Sequence, residues 1–260
     1  MNELRIALIQ TTIYWEDPGK NRSHFENICN SLTGKTDLIV LPETFTTGFT
    51  MTTEKVAEEM GGQTLEWLGE QAARTNSVIT GSLIIKEGSN YFNRLIWMPP
   101  YGKYAEYDKK HLFRMGNEHH NYAPGTGMLI QDLGPWRIRP LICYDLRFPV
   151  WSRNRNNYDM LIYVANWPEN RKEVWNTLLK ARAIENQAYV VGVNRIGTDG
   201  NGISYSGDSA VIDPRGKIIS SIAPYGESAE VVSISLDDLN DFRNKFPVHL
   251  DADDFQIFRS

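Results

Sequence analysis

Cysteine is scarce in this chain: two residues, Cys29 and Cys143, among 260, too few for a disulfide framework. Residues 1–10 do not form a charged-then-apolar leader of the kind removed on secretion. Both absences point to a reducing compartment, and the expected location is the cytoplasm. No segment approaches the roughly 18 uninterrupted apolar residues of a bilayer-crossing helix, so no membrane span is expected. Charges of both signs are interspersed around a formal net of -5, which leaves no basic face for nucleic acid and no charged tail. Repeats, low-complexity stretches and an interdomain linker are missing too. What is present, 41% hydrophobic residues with 11% aromatics, suffices for a sizeable core. The expectation is one domain over residues 1–260 whose partner is a small molecule or another protein.

Short apolar runs alternate with segments of helical period. Leu4 to Ile9 predicts a buried strand, and Pro18 to Leu32 a helix whose Phe25, Ile28, Cys29 and Leu32 share one face, which makes Cys29 structural. Asp37 to Leu41 predicts a second strand, stopped by Pro42 and followed at once by Glu43. Thr64 to Arg74 reads as a helix, Val78 to Ile85 and Tyr91 to Met98 as a hairpin about Gly88-Ser89-Asn90, and Tyr104 to Tyr107 as a short strand. A polar loop of about twenty residues follows, longer than ordinary connections and therefore a candidate functional loop. Trp136 to Ile142 reads as a buried strand that breaks at Cys143 into turn-forming residues, and Met160 to Ala165 as another, ending in Asn166-Trp167-Pro168. Arg171 to Asn186 predicts a helix and Tyr189 to Val193 a strand. The glycine-rich Arg195 to Gly207 reads as a flexible loop, and Ser209 to Asp213 and Lys217 to Ile222 as a hairpin about Pro214-Arg215-Gly216. Val231 to Leu236 closes the strand set, and Asp237 or Asp238 is expected to cap a short helix to Asn244, before a terminal arm beyond Pro247. Alternating strands and helices combined with hairpins predict an α/β fold of two mixed sheets packed face to face with helices outside. That packing brings Glu43 and Cys143 into one cleft.

A cysteine amidohydrolase needs a nucleophile, a carboxylate and a cation, and Cys143, Glu43 and the pair Lys109-Lys110 provide them. A free thiol has a pKa of about 8.5, so a neighbouring cation or base is needed to raise its thiolate fraction; the lysine is expected to lower Cys143. An amide nitrogen departs as ammonia only when protonated, and a buried glutamate can take the thiol proton and hand it to nitrogen. The tetrahedral oxyanion needs donors, which the lysine ammonium and the Tyr144 backbone N–H supply.

The segments LPETFTTGF, YDKKHLF, NEHHNYAPG, ICYDLRFP, ANWP, KARAIENQAYVVGVNRIG and YSGDSAVIDPRGKI, in that order over roughly the whole chain, resemble the nitrilase (carbon-nitrogen hydrolase) superfamily. Within it the chain is similar to the omega-amidases. The resemblance implies a four-layer alpha-beta-beta-alpha sandwich, commonly paired as a homodimer; the expected chemistry uses no metal and no cofactor. It implies catalytic roles for Glu43, Lys109 and Cys143, the lysine being Lys109 because the family places it two residues before the histidine, here His111. An auxiliary glutamate maps onto Glu118. The implied reaction is hydrolysis of the terminal amide of 2-oxoglutaramate or 2-oxosuccinamate to the oxo-acid and ammonia.

Such a substrate carries a carboxylate and a ketone, so its pocket calls for a guanidinium or several donors opposite the scissile amide. Arg114, Arg147 and Arg171 stand near the motif segments, and Phe45, Tyr144 and Trp167 are expected to wall the pocket. Arg147 has an equally simple structural use, tying the cysteine turn to Asp145 or Asp208, as Glu118 has in pairing Lys109. His111, His119 and His120 lack the spacing and companion cysteines of a zinc site, and His111 reads as a structural hydrogen-bonding residue. Trp97, Trp136 and Trp175 read as core.

Overall fold

Strand β1 (Glu3–Gln10) sends Leu4, Ile6 and Leu8 into one apolar cluster and Ala7 and Ile9 into another, as a strand buried on both faces must. The computed structural model describes residues 2–258. Helix α1 (Pro18–Ser31) starts behind Asp17, whose side chain accepts the Lys20 N–H, with Pro18 at the first helical position, where no N–H is needed. β2 (Leu38–Val40), α2 (Thr53–Val56), the two-residue β3 (Glu58–Glu59) and α3 (Gln63–Thr75) follow, and α3 ends on Asn76 in the left-handed conformation. β4 (Val78–Glu87) and β5 (Asn90–Met98) form the predicted hairpin, and β6 (Ala105–Asp108) pairs with β5. The long loop beyond β6 contains a 3-10 turn at Arg114–Gly116 and α4 (Glu118–Asn121).

β7 (Gln131–Leu133) and β8 (Trp136–Ile142) begin the second sheet, followed by α5 (Pro149–Ser152), β9 (Met160–Ala165), α6 (Lys172–Asn186) and β10 (Tyr189–Asn194). β11 (Ile196–Thr198) and β12 (Ser204–Ser206) then pair as an antiparallel hairpin, where the glycines had pointed to a flexible loop. The difference lies in Asp199, whose carboxylate accepts the Asn201 and Ile203 N–H groups and closes the tip locally. β13 (Ala210–Ile212), β14 (Ser228–Ser235) and α7 (Leu236–Lys245) complete the chain. Residues 217–222 form only the single bridge Ile212↔Ile218 instead of the expected strand. Helix α7 is capped by Ser235, which accepts the Asp238 N–H; the two aspartates occupy its first turn, where negative charge favours the helix dipole.

The first sheet has the order β14-β1-β2-β4-β5-β6, with β3 beside β4, and the second β13-β10-β9-β8-β7. Each has a parallel centre, β1-β2-β4 and β8-β9-β10, and antiparallel flanks. The sheets meet face to face through Ile6, Leu38 and Trp97 of the first and Ile138 and Val191 of the second, all in one apolar cluster. The opposite face of the first sheet packs Ile9, Ile39 and Ile79 under Phe25 and Cys29 of α1 and Leu68 of α3. On the second sheet α6 lies so close to β10 that a Cβ at Gly192 would stand 2.6 Å from Leu179 and 2.8 Å from Trp175. This gives the layers helix, sheet, sheet, helix; each fully buried Leu or Ile contributes about 1.5–3 kcal/mol. Among the described residues no helix is long and apolar enough to cross a membrane.

Candidate active site

β2 and β8 end at one cleft, and each hands over to a strained residue nearby: φ is +42° at Thr44 and +42° at Cys143. A non-glycine residue held there costs of order 1–3 kcal/mol and persists only where its surroundings over-determine it. For Thr44 the Ser82 hydroxyl accepts its N–H at 2.8 Å, and Asn166 Nδ2 donates to the preceding Glu43 carbonyl at 2.7 Å. Cys143 opens the 3-10 turn Cys143–Arg147, which Asp145 ties to the strand end by accepting the Ile142 N–H at 3.1 Å.

Glu43, Lys109 and Glu118 are 0%, 1% and 0% exposed. Lys109 Nζ donates to Glu43 Oε1 at 2.8 Å and to Glu118 Oε1 at 2.9 Å, and Asn93 Nδ2 donates to Glu43 Oε1 at 2.8 Å. The other carboxylate oxygens are satisfied by backbone: Glu43 Oε2 accepts the Asn166 N–H at 2.8 Å, and Glu118 Oε2 the Phe113 N–H at 2.5 Å. Burial works to lower Lys109, but the Glu118 and Glu43 carboxylates outweigh it and hold the ammonium well above its ordinary range. Burial pushes Glu118 up against the pull of Lys109. For Cys143, burial first and then the Glu43 charge push the thiol well above its ordinary value, and Lys109 opposes them without prevailing. Lys109 thus pulls the thiol down as expected, but burial and the Glu43 charge outweigh it. Two carboxylates facing one ammonium favour the neutral thiol over the thiolate.

A cavity of about 200 Å³ opens over Cys143, and Glu43, Lys109, Tyr144, Arg147, Trp167 and Arg171 line it. Phe45 does not: it is fully buried in the outer cluster of the first sheet, edge-on to Phe25 at 5.3 Å, because the left-handed turn at Thr44 sends Glu43 and Phe45 to opposite sides. Phe49 takes the wall position instead. Arg114 is exposed in its 3-10 turn, and its neighbour Phe113 faces the cavity, since successive residues of such a turn point about 120° apart. Arg147 makes no ion pair with Asp145 or Asp208; its guanidinium lies over the Trp167 ring at 5.2 Å, and that of Arg171 over Phe113 at 5.2 Å. His111 is the hydrogen-bonding residue expected, its Nδ1 2.7 Å from Asp145. Neither Asn166, named only as a strand end and within the ANWP segment, nor Asn93 was given a role from the sequence. Asn166 stands just past a buried strand, the layout of Glu43 and Cys143, and Asn93 is a polar residue inside an apolar strand, so both carried a signal. The β11–β12 hairpin, which adds Asp199, Asn201, Ile203 and Tyr205 to the wall, carried none. Among the described residues no group of three or more His, Cys, Asp or Glu side chains is arranged to hold a metal ion.

The carbon-nitrogen hydrolase family model matches residues 5–244. The chain is 45% identical to Omega-amidase YafV of Escherichia coli (strain K12), over 99% of this chain and 100% of that protein. It is 31% identical to the 2-oxoglutaramate amidase of Bacillus subtilis (strain 168), over 94% and 95% of the two chains. Among solved structures, a CN-hydrolase superfamily protein from Xanthomonas campestris, with an arsenic adduct in its active site, superposes with a TM-score of 0.97 at 45% identity, covering 99% of this chain and 100% of that one. Matched in sequence and in fold from end to end, the chain belongs to the carbon-nitrogen hydrolase family.

Proposed function

We propose that this chain is an omega-amidase, hydrolysing the terminal amide of a 2-oxo-dicarboxylic acid monoamide, such as 2-oxoglutaramate or 2-oxosuccinamate, to the oxo-acid and ammonia. Likeness to Omega-amidase YafV and to a 2-oxoglutaramate amidase over nearly entire chains supports the substrate class. The observation that carries the chemistry is the convergence of Cys143, Glu43 and Lys109 on one cavity, with Glu43 and Lys109 almost wholly buried.

A thiol that burial and the Glu43 charge push up needs a base, and that sets the order of events. Glu43 accepts the thiol proton as sulfur attacks the amide carbon. Lys109 Nζ and the Tyr144 N–H stabilise the oxyanion that forms. The C–N bond then breaks, Glu43 passes its proton to nitrogen, ammonia leaves and a thioester remains on Cys143. Water, deprotonated by Glu43, attacks that thioester; the C–S bond breaks, sulfur recovers a proton from Glu43 and the acid departs. Glu118 holds Lys109 in place through its 2.9 Å ion pair. Arg147 and Arg171, each stacked on a ring and without an ion pair among the described residues, receive the substrate carboxylate, and Trp167 excludes water beside them. The reading extends to a single-domain, metal-free and cofactor-free homodimer in the cytoplasm, a setting in which two free cysteines persist.

Ammonia release from 2-oxoglutaramate, 2-oxosuccinamate, glutamine and a neutral aliphatic amide, with Cys143→Ala as the blank for each, tests the proposal. The oxo-acid amides should turn over, the other two should be slower by about 10²-fold or more, and the blank should be silent. Preferred turnover of the neutral amide would discard the substrate class, and full activity in Cys143→Ala would discard the mechanism.

A further inference from the structure

Asp145 lies two residues past Cys143 and is fully buried. A carboxylate accepts about four hydrogen bonds, and Asp145 has four contacts of that kind. Oδ2 accepts the Ile142 N–H at 3.1 Å and the Tyr107 hydroxyl at 2.8 Å; Oδ1 accepts the His111 N–H at 3.0 Å and meets His111 Nδ1 at 2.7 Å. Ile142 and Asp145 bracket Cys143 along the chain, and Tyr107 and His111 bracket Lys109. One carboxylate thus joins the turn that carries the sulfur to the segment that carries the ammonium. Trp151 Nε1 donates to the Tyr107 oxygen at 3.0 Å, and the His111 ring stacks on Phe148 with centroids 3.7 Å apart, so the partners are themselves held. None of Tyr107, His111 and Asp145 lines the cavity.

We propose that Asp145, with Tyr107 and His111, is a positioning unit that keeps Cys143 in its left-handed conformation at a fixed separation from Lys109. The proposal rests on the reading of Cys143 as the nucleophile. Strained residues relax when their restraints are removed, and a misplacement of about 1 Å costs about 10²-fold in rate. Asp145→Asn keeps the shape but replaces one accepting oxygen by an N–H group, which opposes the donors on that side.

The test measures kcat and KM together with the second-order rate of Cys143 carboxamidomethylation by iodoacetamide, which needs no substrate. Asp145→Asn should lower kcat about 10²-fold with KM within about threefold, and should slow alkylation about tenfold. Tyr107→Phe, which removes one bond of four, should move both rates the same way by less, and it carries the test if Asp145→Asn does not fold. The control is Asp159→Asn, at a buried carboxylate bound to Arg137 and Arg243 away from the cavity. It should lower Tm and leave the alkylation rate alone. If Asp145→Asn and Tyr107→Phe behave like this control, losing Tm but not thiol reactivity or kcat, the unit is merely structural and the proposal is overturned. Full ammonia release from Cys143→Ala would overturn the nucleophile reading and this proposal together. A wild type that alkylates but prefers another amide would change only the substrate.

Discussion

Lys109 stands between two carboxylates with 1% of its surface exposed, so removing either acid redistributes the charge around the sulfur. Glu118→Gln removes one of the two carboxylates that hold the ammonium in place; kcat should fall about 10–100-fold in ammonia-release assays. Because the Glu118 charge helps to push the Cys143 thiol up, the same variant should shift the pH curve of Cys143 alkylation to lower pH. Slower turnover with a more readily ionised thiol would separate proton transfer from thiolate formation, and an alkylation curve moved upward would contradict the charge argument. Arg171→Lys tests the carboxylate site: a point charge replaces a planar fork stacked on Phe113. We expect kcat/KM for the oxo-acid amides to fall about tenfold or more, mostly through KM, while hydrolysis of a neutral amide stays unchanged.

The hairpin β11–β12 shows how an element with little apolar area becomes part of the wall. Asp199 accepts the Asn201 and Ile203 N–H groups and, at 2.9 Å, the Tyr205 hydroxyl, while the Arg195 guanidinium lies over the Tyr205 ring at 4.8 Å. Gly200 comes so near Trp15 that a Cβ would stand 2.4 Å from the indole, which seats the tip on the loop after β1. Asp199→Ala removes three acceptor contacts at once; KM should rise several-fold with far less change in kcat, checked by steady-state kinetics. At the contact of α6 with β10, Gly192→Ala inserts a methyl group into space already occupied by Leu179 and Trp175. Overpacking of that kind costs about 1–3 kcal/mol, which urea denaturation would read as a lower midpoint at unchanged slope. The strands flanking this contact were legible from their apolar runs. The hairpin was not, because its closure comes from one carboxylate on two backbone N–H groups and leaves no hydrophobic period.

Across the whole molecule, Asp159 ties β8 to α7: it accepts from Arg137 Nη2 at 2.8 Å and from Arg243 Nη1 at 2.7 Å. Burial alone would raise Asp159, but its bonds to Arg137 and Arg243 more than offset that and hold it below the ordinary carboxylate value. The unfolded chain therefore takes up this proton first as pH falls. The stability it contributes is complete above the unfolded pKa of about 3.9 and is lost as pH drops through the lower, folded value. Asp159→Asn should have a lower Tm than wild type at neutral pH and a flatter decline in acid; parallel declines for the two proteins would refute the linkage.

Residue types and local order determined much of this protein. The apolar runs of Leu4 to Ile9 and before Glu43 and Cys143, and the helical period of Pro18 to Leu32 and Arg171 to Asn186, are properties of neighbouring residues, and each produced the expected element. The ordered motifs likewise named Glu43, Lys109, Glu118 and Cys143, which the fold gathers into one buried cleft or its edge. Only the tertiary structure decided that Phe45 turns into the core, that Arg147 and Arg171 rather than Arg114 face the cavity, and that burial and Glu43 outweigh Lys109 at the Cys143 thiol. Those outcomes depend on contacts between distant parts of the chain: the Glu43–Lys109 pair spans 66 residues, and the Asp145 bonds to His111 and Tyr107 span 34 and 38. A side chain's direction and its proton affinity follow from burial and from charges brought close by folding, whereas periodicity records only what lies beside it along the chain.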